Sequence, residues 1–203
     1  GQKSLFVNYI YQSIFGTNPS QMYSAGLSFN YDKYDEDFRD PVFNYGEDIS
    51  TDFINMKREE RVPGAFFQYT GEFLDQRFIV MAGLRYDYHN IFGSIWTPRA
   101  HIMYKPDEFT SIKATFGRGL RTPNILAENS YLLASAANFY VNGELLGKNP
   151  ALLDDLKMED SWNFGANVNR KFEVFGRTLN INLDYYHTKF NDQVVVDNET
   201  AYN

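Results

Sequence analysis

Residues 77–89 read RFIVMAGLRYDYH. From Phe78 onward every second residue is apolar or aromatic: Phe78, Val80, Ala82, Leu84, Tyr86 and Tyr88. The residues between them, Ile79, Met81, Gly83, Arg85, Asp87 and His89, begin apolar and end charged. Successive side chains of an extended strand point to opposite faces, so this period of two marks a β-strand with one greasy and one largely polar face. Such a strand serves two opposite architectures. In a soluble sandwich the greasy face looks into the core, and in a membrane barrel it looks out at lipid.

The pattern recurs along the chain. QMYSAGLSFNYDKY sets Tyr23, Ala25, Leu27, Phe29 and Tyr31 against Ser24, Gly26, Ser28, Asn30 and Asp32. DSWNFGANVNRKF sets Trp162, Phe164, Ala166 and Val168 against Ser161, Asn163, Gly165, Asn167 and Asn169. RTLNINLDYYH, PRAHIMYK and SIKATFGRG repeat it, and LFVNYIYQS and GAFFQYTGEF are weaker members. Together they predict about eight strands, near residues 4–14, 21–35, 62–73, 76–89, 97–105, 109–119, 160–172 and 177–192. The connections alternate in length. Short ones fall at 16–20, 74–75, 105–108 and 175–177, long ones at 36–61 and 120–159, with 89–96 intermediate. That rhythm suits an antiparallel up-and-down barrel with tight turns on one side, whereas a Greek-key sandwich has no reason to keep it.

The polar faces decide between lipid and core. They carry Asn, Ser, Gly and Asp rather than the Lys, Glu, Thr and Arg usual on a soluble sheet's outer face. The greasy stripes place aromatics toward their ends and small aliphatics between, the arrangement of an interfacial girdle around a hydrocarbon band. About nine residues at ~3.3 Å each, tilted by ~40°, span roughly 23 Å of membrane normal, close to the height of such a band. The greasy side is therefore expected to face lipid. Composition agrees. The 203 residues include 15 Tyr, 18 Phe and 2 Trp, which favours strands, and no Cys, which excludes thiolate metal sites. A net charge of −7 without a basic stripe argues against a nucleic-acid partner. No apolar run approaches the roughly 18 residues of a membrane-spanning helix.

Residues 60–195 also carry an ordered set of short motifs. They are Gln68–Tyr69, GLRYD at 83–87, Pro98–Arg99, the YKP turn at 104–106, FGRGLRTP at 116–123 and Glu128. KNPAL at 148–152 and EDSWNFG at 159–165 follow. In this order and spacing the segment resembles the TonB-dependent outer-membrane receptors, departing from them at Leu156–Lys157–Met158, where that family usually has Pro-Glu. The resemblance implies a barrel of about 22 strands with a plugged lumen, a bacterial outer-membrane location, contact with membrane lipid, a small-molecule nutrient ligand and energy from the TonB protein. That energy would pass through a plug not seen in this sequence. On this reading the chain, 1–203, is a transmembrane β-barrel segment without the plug or the terminal aromatic strand. A free, closed eight-stranded barrel is the alternative geometry. Ferric siderophores and cobalamin are the ligands implied first, and a glycan importer of the same family is the alternative. The rival outside the family is a soluble glycan-binding β-module using aromatics 131–140 as a stacking platform.

No catalytic constellation stands out, and the chain is not expected to be an enzyme or to need a cofactor. Asp87 and His89 lack a second acidic pair in the right context, and His101 reads as polar wall. The acidic run containing Asp35, Asp37 and Asp40 offers oxygen ligands of the kind Ca²⁺ takes, but fits no defined Ca²⁺ loop and reads as a solvated outer loop. No other metal site is expected. The long segment 120–159 is the candidate ligand grip: Arg121 and Glu128 precede Tyr131, Phe139 and Tyr140, supplying charge and aromatic faces outside the apolar band. Arg121 and Glu128 tying the loop to the wall is the equal alternative. A short helix is expected near 150–156, capped by Asn149.

Overall fold

The computed structural model of the chain describes residues 1–39, 53–123, 128, 140–141, 144–145 and 156–195. Its strands are β1 (Gln2–Phe15), β2 (Asn18–Arg39), β3 (Phe53–Phe73), β4 (Phe78–His89), β5 (Gly93–Tyr104) and β6 (Thr110–Arg121), followed by β7 (Tyr140–Val141), β8 (Glu144–Leu145), β9 (Glu159–Val174) and β10 (Arg177–Asp192). The eight long strands form one sheet in the order β1-β2-β3-β4-β5-β6-β9-β10, all neighbours antiparallel, while β7 and β8 pair only with each other. Each long strand therefore lies beside the next long strand in sequence. β1 and β10 are the two ends of the sheet and do not pair with one another, so the wall is an open arc rather than a small closed barrel.

Register carries the greasy faces into continuous rows. Tyr9, Leu27, Ala65, Tyr86 and Trp96 stand opposite one another from β1 to β5. Val80, Ile102, Ala114, Ala166 and Tyr185 continue such a row from β4 to β10. Burial is inverted relative to a soluble domain. Leu27 is 63% exposed and Leu183 67%, while Ser28 and Asp87, on the other face, are 7% and 8% exposed. Ile95 is the one buried hydrophobic residue among those described. A sandwich would bury the greasy rows against a second sheet. Among the described residues the eight long strands form a single layer with these rows exposed, as on a wall that faces lipid.

The aromatic contacts form two belts. Toward the short turns, Phe15 packs on Tyr23 at 4.7 Å, and Phe78 touches Phe73 at 6.3 Å and Tyr104 at 6.4 Å. Toward the opposite end, Tyr86 meets Trp96 at 4.6 Å and Phe116 stacks on Trp162 at 4.9 Å. On β4 the interval from Phe78 to Tyr86 covers about 20 Å of membrane normal at ~3.3 Å per residue and ~40° tilt, slightly less than a typical apolar band.

The strands overrun that band on the outer side, beyond the boundaries that periodicity suggests. β2 continues to Arg39 and β3 begins at Phe53, so the ladder occupies much of the expected 36–61 loop. Cross-strand pairs of opposite charge, Lys33 with Glu59 and Asp35 with Lys57, suit this extension. The expected intermediate connection at 89–96 is instead a tight turn, with His89 opposite Gly93. Asn90 ties the turn to β3 by accepting from the Arg61 backbone N–H at 2.7 Å and donating to the Glu59 carbonyl at 2.8 Å. Both misreadings have one cause. Outside the hydrocarbon, neither face must be greasy, so a paired strand need not alternate.

The turns on the short side are locally specified. β9 and β10 are joined by Phe175 (φ 52°) and Gly176 (φ 71°), a left-handed pair that matches the strand twist in a two-residue hairpin. In the β5–β6 turn, the Asp107 carboxylate accepts from the Phe109 N–H at 2.8 Å and from the Thr110 hydroxyl at 3.1 Å. The Thr110 hydrogen bond, more than any other influence, holds the Asp107 carboxyl below its ordinary 3.8.

Two outcomes are expected in the full-length protein. Leu183→Arg should cost roughly 2–4 kcal/mol in detergent-to-lipid folding titrations, and Asn182→Arg far less; spin labels at Val80, Ala166 and Leu183 should report lipid, and labels at Asn167 and Asn182 water. Reversed accessibility would sink the face assignment. Because the Asp107 pKa is depressed on folding, its contribution is complete above the ordinary carboxylate value and lost as pH falls through the folded one. Protection of the Phe109 amide in hydrogen exchange should fall over that acid range, and Asp107→Asn should remove the dependence.

Candidate functional site in the outer lumen

Alternation that sends Tyr86 and Tyr88 toward lipid sends Arg85, Asp87 and His89 to the concave face. Across the ladder, Glu60 and Val62 of β3 and Ser28 and Asn30 of β2 share that face. Near the outer rim these residues, with Ile95 and Thr97 of β5, surround a cavity of about 450 Å³.

Two charge clusters form its floor and side. Arg85 clamps Asp87 with Nε 2.7 Å from Oδ2 and Nη2 2.6 Å from Oδ1, and Nη2 also donates to Ser28 Oγ at 2.7 Å. Gly64 stands opposite Asp87 and leaves the room this network needs. In the second cluster, Arg58 Nη2 lies 2.6 Å from Glu60 Oε1, and His89 Nε2 lies 3.4 Å from Glu60 Oε2. The Ile91 N–H donates to His89 Nδ1 at 3.1 Å, so a neutral imidazole carries its proton on Nε2, toward Glu60. The Arg58 guanidinium sits 5.5 Å from the centre of the Tyr34 ring and donates to the Pro123 carbonyl at 3.4 Å. Glu60 is 7% exposed and His89 3%. Arg58 Nε, Glu60 Oε1 and His89 Nε2 are nevertheless buried with no well-aligned hydrogen bond, because the close Arg58–Glu60 approach has poor alignment. Buried polar atoms left in this state carry unused binding capacity.

A separate pair reinforces the rim. The β5–β6 ladder stops at Arg99 opposite Gly117, next to Pro98, which has no N–H to donate. Arg118 bridges the seam above it, binding Asp160 in two places at 2.8 and 3.0 Å and donating to the Trp96 carbonyl at 3.1 Å. Asn191 of β10 also donates to Asp160, at 2.9 Å.

The residues expected from sequence to grip ligand are distributed as follows. Arg121 ends β6 and pairs with Glu159 at 2.6 Å and with the exposed Glu128 at 3.1 Å. Tyr140 opens β7 opposite Leu145, its side chain outside the described residues, as are Tyr131 and Phe139 and the expected helix near 150–156. Asp35 is exposed near the outer end of β2, the Asp37 side chain and all of Asp40 are outside the described residues, and His101 is exposed opposite Met81. Asp87 and His89 do not act on each other: Arg85 takes the carboxylate, and His89 turns to Glu60. Among the described residues no group of three His, Cys, Asp or Glu could hold a metal. Sequence reading missed Arg58 and Glu60 because they fell in the expected loop, although their spacing of two would have placed them on one face of a longer strand.

A methyl group at residue 64 would collide with the Asp87 carboxylate and lie 2.9 Å from both Ser28 Oγ and Arg85 Nη2. Gly64→Ala should therefore cost about 1–3 kcal/mol by breaking this network. Gly117→Ala, whose Cβ would meet nothing closer than 3.7 Å, should be near neutral. Heat-modifiability of the full-length protein on gels compares the two.

Known proteins match this architecture. The model of the family "TonB dependent receptor-like, beta-barrel" matches residues 2–203. PirA of Acinetobacter baumannii, a probable TonB-dependent siderophore receptor, is 26% identical over 157 residues, 74% of this chain and 19% of that protein. The crystal structure of the siderophore receptor PirA from Pseudomonas aeruginosa superposes with a TM-score of 0.65 at 16% identity, over 97% of this chain and 33% of that one. A mutant ferric enterobactin receptor (PfeA) from Pseudomonas aeruginosa, in complex with enterobactin, gives 0.67 at 17% identity, over 93% and 27%. The chain thus spans between 19% and 33% of the lengths of these relatives. Inverted burial, two aromatic belts, the sequential antiparallel wall and the family match lead to one conclusion: the chain belongs to the TonB-dependent receptor β-barrel family of the bacterial outer membrane.

Proposed function

We propose that the chain is an arc of the barrel of an outer-membrane importer that captures a ferric siderophore at its outer face. The observation that carries this reading is the cavity of about 450 Å³ at the outer end of a lipid-facing wall, lined by Glu60 and His89, whose buried Oε1 and Nε2 have no hydrogen bond. The named siderophore receptors among its relatives favour iron chelates over cobalamin or glycans. Further strands complete the barrel, and a plug outside this chain carries energy from TonB. The wall itself does no chemistry. It provides a scaffold whose backbone is satisfied within lipid, and a polar interior through which a hydrated ligand can pass.

In this proposal the segment after β6 acts as the outer grip, with Arg121, Glu128, Tyr131, Phe139 and Tyr140 as its contact residues. Loss of one aromatic stack or one charge-assisted contact is worth about 1–3 kcal/mol, or roughly ten- to a hundredfold in affinity. Tyr140→Ala in the full-length receptor should weaken ferric-siderophore binding by that factor with folded yield unchanged. Arg121→Ala should lower yield and affinity together, since the side chain also joins Glu159 of β9 to Glu128. Fluorescence titration with iron-loaded siderophores, and growth on them as sole iron source, read both. A folded receptor that binds no iron chelate would refute the proposal.

A further inference from the structure

Among the described side chains, the arginines beyond Arg99 toward the outer rim have carboxylate partners: Arg58 with Glu60, Arg61 with Glu59, Arg85 with Asp87, Arg118 with Asp160, and Arg121 with Glu159 and Glu128. Among the described residues, the cavity lining contains a single arginine or lysine, Arg85, against two carboxylates, Glu60 and Asp87. Arg85 is already charge-paired: its Nε and Nη2 hold both oxygens of Asp87, and Nη2 also donates to Ser28. Arg58, behind Glu60, brings the local formal charge to zero. The remaining lining is neutral and mixed, with Asn30, Thr97 and Thr122 beside Phe6, Val62 and Ile95.

Resting on the siderophore reading above, we infer that this cavity selects an electroneutral ferric chelate of the trihydroxamate class over a triply anionic tricatecholate. Three singly deprotonated hydroxamates neutralise Fe³⁺, whereas three doubly deprotonated catecholates leave a triple negative charge on the complex. A trianion entering here finds, among the described lining residues, no guanidinium or ammonium without a carboxylate partner, and its charge is desolvated beside Glu60 and Asp87. A neutral chelate meets no such penalty. Its amide and hydroxamate groups can use what the cavity lining leaves unmade: Glu60 Oε1 accepts, while His89 Nε2 donates. Its methylene linkers suit Phe6, Val62 and Ile95.

The test is a binding titration of the full-length receptor with a neutral ferric trihydroxamate and a ferric tricatecholate, at low and high salt. The trihydroxamate is expected to bind at least about tenfold more tightly, with little dependence on ionic strength. Glu60→Gln and Asp87→Asn each remove a negative charge, and Asp87→Asn also frees Arg85. Both should lower the ratio of trihydroxamate to tricatecholate affinity by about tenfold or more. Using the ratio, with folded protein selected by heat-modifiability, keeps the result readable if one variant folds poorly. Tighter tricatecholate binding by the wild type, or an unchanged ratio in the variants that fold, overturns the inference and leaves the siderophore reading standing. Binding of neither chelate by folded receptor overturns both.

Discussion

Inside hydrocarbon a backbone N–H or C=O has no water to turn to, and leaving one unpaired costs several kcal/mol. The rest of this structure follows from that constraint. A sheet meets it only by pairing every strand along its membrane-spanning length, which an up-and-down meander with tight turns does with least chain. The two-residue left-handed turn at Phe175–Gly176 and the Asp107-capped turn before β6 are the local devices that return the chain into register. Where the ladder is interrupted, a side chain takes over. β5 and β6 part at Pro98, level with Leu84 and just below the Tyr86–Trp96 contact of the outer belt; there Arg118 reaches the Trp96 carbonyl and is anchored by Asp160.

Once the greasy face is committed to lipid, the concave face is left with the polar residues, and the described residues form no apolar core. Among the described residues, the buried side chains are mostly polar or charged: Ser28, Glu60, Asp87, His89, Thr110 and Asp160. Such groups are tolerated only if hydrogen-bonded. The wall meets this requirement mostly with arginine–carboxylate pairs at strand spacings of two, as in Arg85 with Asp87 and Arg58 with Glu60, or across the ladder, as in Arg121 with Glu159. The Glu60–His89 cluster is where satisfaction is incomplete. Its position in the outer lumen, together with its chemistry, is what the proposed binding role rests on.

Much of this was legible in the chain. Period-two alternation identified all eight long strands, and the character of their polar faces gave the correct outward direction for Leu27, Leu84 and Leu183. Motif order from Gln68 to Glu128 pointed to the family that the comparison then gave. These readings succeed because a membrane imposes its own repeat: each strand must present lipid-soluble side chains at every second position across a fixed thickness. The weak pattern of β1 has a reason too. Its lumen-side residues include Phe6, Ile10 and Ile14, so both faces look apolar from sequence.

What the chain alone determined is the alternation, the belts and the handful of turn residues, all set by neighbours within a few positions. What only tertiary structure decided is how far the strands run past the membrane and which charges meet. Outside the lipid no face must be greasy, so the extension of β2 and β3 left no periodic trace. The meeting of Glu60 with His89, and of Arg118 with Asp160, depends on cross-strand register and sheet curvature. Those are properties of paired strands, because a one-residue slip would send every such side chain to the opposite face of the wall.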